Sequence, residues 1–281
     1  MRSAKRTGWS SALGVRLVTA CVGLPLVVWI LLGPSSRLVF ALGILCALAG
    51  LELVALVEAS LPASTPWRWL RPAVVAASSV ALYAAVFAGA SGISLALLWT
   101  ALVAIQASLA VVCVRPLAVA VAACAAGLAG AAYVGFPLAL LARIRSELGS
   151  GWVVLAIAVT WFGDAGSYTA GRLFGAHKVA PSISPGKTIE GCVGGCLMAI
   201  ALALVVRSLL LPDIGVLACA AIGGSANVVG QGGDLLESCL KRVAGVKDSG
   251  QWFPGYGGVL DKIDSLLLAA PWIYACSLIV S

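Results

Sequence analysis

The apolar and polar positions of this chain fall into long, nearly uninterrupted apolar runs rather than amphipathic stripes. Runs of this kind predict membrane-spanning helices near residues 17–32, 38–57, 73–90, 93–114, 117–142, 151–170, 191–211, 214–230 and 265–281, because one crossing takes about 20 apolar residues. The expected fold is all-α and polytopic, with about nine transmembrane helices. The short Ser91-Gly92 break and the Gly-rich eighth run leave a total of eight open. Two stretches, 171–190 and 231–264, interrupt the apolar pattern with dense polar sequence.

Composition agrees with the pattern. Of 281 residues, 61% are hydrophobic and 10% charged, with a mean hydropathy of +1.06; a soluble domain carries roughly a quarter of its residues as charged side chains. An ordinary soluble globular protein is excluded. The basic start Met1-Arg2-Ser3-Ala4-Lys5-Arg6, followed by an apolar run without a small-residue cleavage pattern, predicts a retained signal anchor.

With the N-terminus inside and nine spans, fourteen of the eighteen Lys and Arg fall in inner loops, leaving Arg37, Arg143, Arg145 and Arg207 outside. The excess of Lys and Arg on the cytoplasmic side accounts for the net charge of +7 and places both polar segments in the cytoplasm. The basic residues are dispersed, with no aromatic-rich polar surface between them, so nucleic acid is not an expected partner. Pro62, Pro66, Trp67 and Trp69 predict an interfacial loop. The nine Cys lie mostly inside apolar runs and read as packing residues; Cys192 and Cys196, one turn apart, lack a second ligand pair.

The carboxylates are the informative exceptions. Eight of the eleven lie between 164 and 264, in a chain where an intramembrane charge is costly. Residues 1–150 hold only Glu52, Glu58 and Glu147 and read as helices for packing, lipid contact and oligomer contact such as a homodimer. Residues 151–281 read as the catalytic transmembrane unit.

In the first polar segment, Asp164 ends an apolar run and is a functional candidate by that position, the alternative being a pairing with Arg172 that fixes the loop. Gly186-Lys187-Thr188 resembles the end of a phosphate-binding P-loop, but Pro181 stands where the motif needs Gly and a membrane helix precedes it where a strand is required. What remains is Ser182, Ser184, Lys187 and Thr188 ahead of a helix start near Glu190, a combination that suits an anionic phosphate. His177, the only histidine, reads as a solvated loop residue.

In the second segment, a helix over 231–242 would align Asp234, Glu237, Ser238 and Lys241 on one face. The turn Pro254-Gly255-Tyr256-Gly257-Gly258 lets backbone approach a ligand, and Asp261 and Asp264 then share a face of the next helix. Two carboxylate faces hinged by such a turn can clamp a divalent cation, and oxygen ligands beside substrate phosphates favour Mg²⁺. A salt-bridged helical hairpin is the competing reading.

The pattern Ser238-x-x-Lys241-Arg242-x4-Lys247-Asp248-x5-Pro254-Gly255-x-Gly257-Gly258-x2-Asp261-x2-Asp264 resembles the signature of the phosphatidate cytidylyltransferases, or CDP-diacylglycerol synthases. Gly163-Asp164 through Ser184-Pro185-x-Lys187-Thr188-x-Glu190-Gly191 is similar to a second conserved block of that family. Two positions depart from it: Tyr256 stands where His is usual and Lys262 where Arg is usual.

The resemblance implies attack of phosphatidic acid on the α-phosphorus of CTP at a bacterial plasma (inner) membrane, forming CDP-diacylglycerol and pyrophosphate. It implies Mg²⁺ with a second, monovalent or divalent, cation held by Asp234 and Asp261, helped by Asp264 and Asp164. It implies catalytic roles for Asp234, Asp261, Lys241 and Arg242, and substrate binding by Ser184, Lys187, Thr188, Ser238, Lys247, Asp248, Gly257 and Gly258. A CTP-dependent kinase of a lipid alcohol such as polyprenol or phytol, a transporter and a silent scaffold are the alternatives.

Overall fold

A backbone in hydrocarbon has no water to bond and must satisfy its own N–H and C=O groups, so the apolar runs form helices. The structure, a computed structural model, describes residues 6–59, 70–114 and 117–280. The order is α1 (Arg6–Leu32), α2 (Ser35–Ala59), α3 (Leu70–Phe87), α4 (Gly92–Cys113), α5 (Leu117–Arg143), a π-helical turn (Ile144–Leu148), α6 (Ser150–Phe174), β1 (Lys178–Ala180), β2 (Ser184–Thr188), α7 (Ile189–Leu210), α8 (Val216–Val243) and α9 (Leu260–Val280). Pro62, Pro66, Trp67 and Trp69, and the basic residues Arg2, Lys5, Arg68 and Arg115, lie outside the described residues.

Among the described residues, seven helices are long and apolar enough to cross a membrane: α2, α3, α4, α5, α6, α7 and α9. The all-α polytopic reading holds. Against the expectation of about nine spans, nine α-helices are present among the described residues, and two of them fall short of that criterion. The apolar part of α1, Val18–Leu32, is shorter, and α8 is diluted by glycine and by the charged residues of its second half.

Three features of the polar segments differ from the sequence reading. The eighth run does not stop near 230; α8 continues to Val243 and carries the polar 231–242 face as its own extension. Helix α9 starts at Leu260 rather than near 265, so Asp261 and Asp264 occupy its first turns. The segment after α6 contains an antiparallel hairpin that pairs Lys178 with Thr188 and Ala180 with Ser184. Pro181 and Pro185 are poor helix formers, and the extended Thr188 then caps α7, its Oγ1 accepting from the Gly191 N–H at 3.1 Å.

The centre is filled by Leu138, Leu141, Leu155, Leu260, Leu267 and Ile273, all almost fully buried, where α5, α6 and α9 meet. Large apolar side chains such as Phe40, Ile93, Leu97 and Leu217 point outward. That is the arrangement expected when lipid rather than water surrounds the helices.

Candidate active site

Close approach of α8 and α9 creates the site. A Cβ on Gly230 would lie 3.1 Å from the Ser265 carbonyl, and one on Gly233 would overlap the Asp264 carbonyl. An interior helical glycine costs roughly 0.5–1 kcal/mol relative to alanine, but these two let the backbones touch. Asp234 on α8 is thereby brought beside Asp264 on α9. Asp234, Glu237 and Asp264 each offer an oxygen within 4.8 Å of the others.

Three oxygen donors at that spacing fit a hard divalent cation. Glu237 is fully buried; burial pushes its carboxyl up to about 8, against the pull of Lys241. Lys241 supplies the neighbouring positive charge that a buried carboxylate needs, with Nζ 2.5 Å from Glu237 Oε2 and 2.6 Å from Asp261 Oδ1.

Asp261 is occupied differently from the carboxylate triplet. Its Oδ1 takes Lys241, and its Oδ2 accepts from the Ser249 N–H at 2.9 Å, the Ser249 hydroxyl at 3.0 Å and the Gly258 N–H at 2.8 Å. It thus stands outside the three carboxylates that converge. Asp164 also stands outside them, and accepts from the Ser265 hydroxyl at 3.5 Å. Arg172, the alternative partner considered for Asp164, donates to the Tyr168 hydroxyl.

The hairpin brings the first polar segment to the second. Lys187 Nζ lies 2.8 Å from Asp234 Oδ2, and the Ser238 hydroxyl donates to Asp234 Oδ1 at 3.2 Å. Asp164, Ser184, Lys187, Thr188 and Asp234 line one cleft of about 370 Å³. Lys247, Asp248 and Gly257 line a second cleft instead, together with Tyr256. Gly258 is packed against Glu52 and Ser249.

Arg242 spends its guanidinium on backbone: Nε donates to the Ile183 carbonyl at 3.0 Å and an η nitrogen to the Val246 carbonyl at 3.1 Å. In this arrangement it ties the hairpin to the loop after α8. His177 is three-quarters exposed, and its Nδ1 lies 2.6 Å from Glu190 Oε1, fastening the hairpin to α7.

The sequence reading passed over two residues. Glu237 was on the recognised helical face but was given no metal role; its three-residue spacing from Asp234 was the available signal. Glu52 sits in α2 and is buried, yet it accepts from the Ser249 hydroxyl at 3.0 Å and from the Val259 and Leu260 N–H groups at 2.9 and 2.8 Å. A carboxylate inside an apolar run is a functional candidate wherever it occurs.

Comparison with known proteins gives the family. The profile of the cytidylyltransferase family matches residues 14–280. The chain is 43% identical over 140 residues to a phosphatidate cytidylyltransferase of Staphylococcus saprophyticus, covering 50% of this chain and 54% of that protein. It is 39% identical over 146 residues to one from Bacillus subtilis, covering 51% and 54%. It is also 39% identical over 140 residues to one from Staphylococcus aureus, covering 50% and 54%. The chain spans about half the length of the curated relatives it matches.

Proposed function

We propose that this chain, which belongs to the cytidylyltransferase family, makes CDP-diacylglycerol from CTP and phosphatidic acid. The names of the relatives support this reading. The observation that carries it is the meeting of Lys187 with Asp234 at one cleft, with oxygens of Glu237 and Asp264 within 4.8 Å of an Asp234 oxygen.

A phosphate oxygen of the lipid attacks the α-phosphorus of CTP, a new P–O bond forms, and the bond to the bridging oxygen breaks with its electron pair leaving on pyrophosphate. The nucleophile is already an anion, so catalysis is positioning and charge neutralisation rather than base work. Lys187 leaves Asp234 to bind phosphate. The Thr188 hydroxyl lines the same cleft and, while accepting from the Gly191 N–H, keeps its own proton to donate. Lys241 holds Glu237 and Asp261 in place while remaining cationic near the reacting phosphates. Asp234, Glu237 and Asp264 would hold Mg²⁺, which when bound offsets the triphosphate charge.

Residues 151–281 form the catalytic unit and residues 1–150 its support. The site faces the cytoplasm of a bacterial plasma membrane; the Lys and Arg bias supports that orientation and the bacterial relatives support that membrane. Purified protein with α-labelled CTP, phosphatidic acid and Mg²⁺ tests the reading. Label in the lipid with release of pyrophosphate is expected. Label only in CDP would instead mark a lipid-alcohol kinase, and no turnover by folded protein would leave a transporter or scaffold.

A further inference from the structure

Glu52 belongs to a helix that carries none of the residues discussed for the reaction, yet its carboxylate is buried and reaches across the fold to the loop before α9. It is 5% exposed, and both of its oxygens accept hydrogen bonds. Oε1 takes the Val259 N–H; Oε2 takes the Leu260 N–H and the Ser249 hydroxyl. Those two N–H groups open α9, where the helix has unsatisfied donors and a positive dipole end. A carboxylate there replaces the water that the helix end would otherwise need.

The loop is shaped to the carboxylate. A Cβ at Gly250 or Gly258 would overlap Glu52, so both positions close onto it only as glycine. The same Ser249 hydroxyl that donates to Glu52 also lies 3.0 Å from Asp261 Oδ2, and Asp261 in turn holds Lys241. A continuous chain of bonds therefore runs from Glu52 through Ser249 and Asp261 to Lys241 and Glu237. α1 reaches the same loop, through the Thr19 hydroxyl donating to the Pro254 carbonyl at 3.1 Å.

We infer that Glu52 is a positioning residue for the transferase site: it fixes the 249–260 loop and the start of α9, and so sets the orientation of Asp261 and Lys241. The inference rests on the proposed cytidylyltransferase reading. It also gives the N-terminal helices a share in the site beyond packing and lipid contact.

Glu52→Gln is the direct test. A carboxamide keeps one accepting oxygen and turns a donor toward a donor at the other, with little change in volume. The full chain in nanodiscs is assayed for CDP-diacylglycerol formation, with amide hydrogen exchange measured on the same samples. Product from wild-type protein is the control for the underlying reading; its absence sinks that reading, whatever the variant does. With active wild type, the expected result is a fall in kcat of about fivefold or more, with KM for both substrates within about threefold. Faster exchange is expected confined to residues 248–260.

A smaller fall in kcat, a fall carried by KM, or exchange that quickens across the whole chain overturns the inference. Where Glu52→Gln yields no folded protein, Ser249→Ala carries the test by the same criteria. It removes the hydroxyl that joins Glu52 to Asp261, while Glu52 stays bonded to Val259 and Leu260 and Asp261 keeps the backbone N–H of residue 249.

Discussion

The Lys262 ammonium lies 5.2 Å from the centroid of the Tyr256 ring, so the Gly-rich turn and the first turn of α9 are joined by a cation–π contact. Both positions depart from the phosphatidate cytidylyltransferase pattern, and the structure makes them partners. An exposed contact of this kind is worth about 0.5–1 kcal/mol. Tyr256→His alone is therefore expected to lower kcat/KM by about two- to fivefold, since an imidazole beside Lys262 gives up the phenol ring. Tyr256→His with Lys262→Arg is expected to recover most of the loss. Steady-state kinetics on the two variants and their combination measure the coupling, and strictly additive effects would show the two positions to be independent.

The carboxylates separate into two kinds. Asp234 and Asp264 converge with Glu237, whereas Asp261 is held by Lys241, Ser249 and Gly258. Asp234→Asn and Asp264→Asn are expected to lower kcat by roughly a hundredfold or more, the scale at which an electrostatic contact to the transition state acts, and to raise the Mg²⁺ concentration for half-maximal rate. Asp261→Asn is expected to cut turnover by roughly a hundredfold or more while leaving membrane insertion intact and the Mg²⁺ concentration for half-maximal rate near wild type. Titrating Mg²⁺ after chelation with EDTA distinguishes the two groups. An unchanged Mg²⁺ requirement in Asp234→Asn would remove it from the cation site.

Lys187 faces a choice between Asp234, 2.8 Å away, and an incoming phosphate. Lys187→Ala is expected to raise KM for CTP about tenfold or more, with KM for phosphatidic acid less affected. Lys187→Arg is expected to retain part of the affinity, because charge is kept while the geometry changes. Initial rates over a range of CTP concentrations provide the check. A KM for CTP that stays at the wild-type value removes Lys187 from the nucleotide site.

Gly257 has φ of +90°, and a Cβ there would stand 2.5 Å from Asp261 Oδ2 and 3.3 Å from the Asp248 Cβ. Positive φ costs a residue with a side chain about 1–3 kcal/mol in such settings. Gly257→Ala is expected to lower the thermal midpoint and to displace Asp261, cutting activity at least tenfold. Gly232, on α8 with open space around its Cα, offers the contrast: Gly232→Ala is expected to keep activity and to gain up to about 1 kcal/mol from helix propensity. Thermal unfolding of both variants in one detergent compares them directly.

Features governed by local spacing are legible in the sequence. Asp234, Glu237, Ser238 and Lys241 repeat at three and four residues, and the long helix α8 puts them on one face. The cap of α7 by Thr188 follows from a hydroxyl placed just before an apolar run. The role of Arg242 was not legible, because a guanidinium beside a phosphate-rich site and one bonded to the Ile183 and Val246 carbonyls have the same local sequence. The hairpin was missed for a related reason: its three- and five-residue strands are too short to show a period.

The sequence by itself determined where the chain lives and which short segments carry its polarity, since helix formation in lipid and side-chain facing along a helix depend on residues within a few positions of each other. Only the tertiary structure decided which carboxylates converge. Asp234 meets Asp264 because Gly230 and Gly233 allow α8 and α9 to touch, and Glu52 reaches Val259 and Leu260 across 207 and 208 residues of chain. Such contacts are set by helix packing and by the need of a buried carboxylate for donors, and no local spacing in the chain records either.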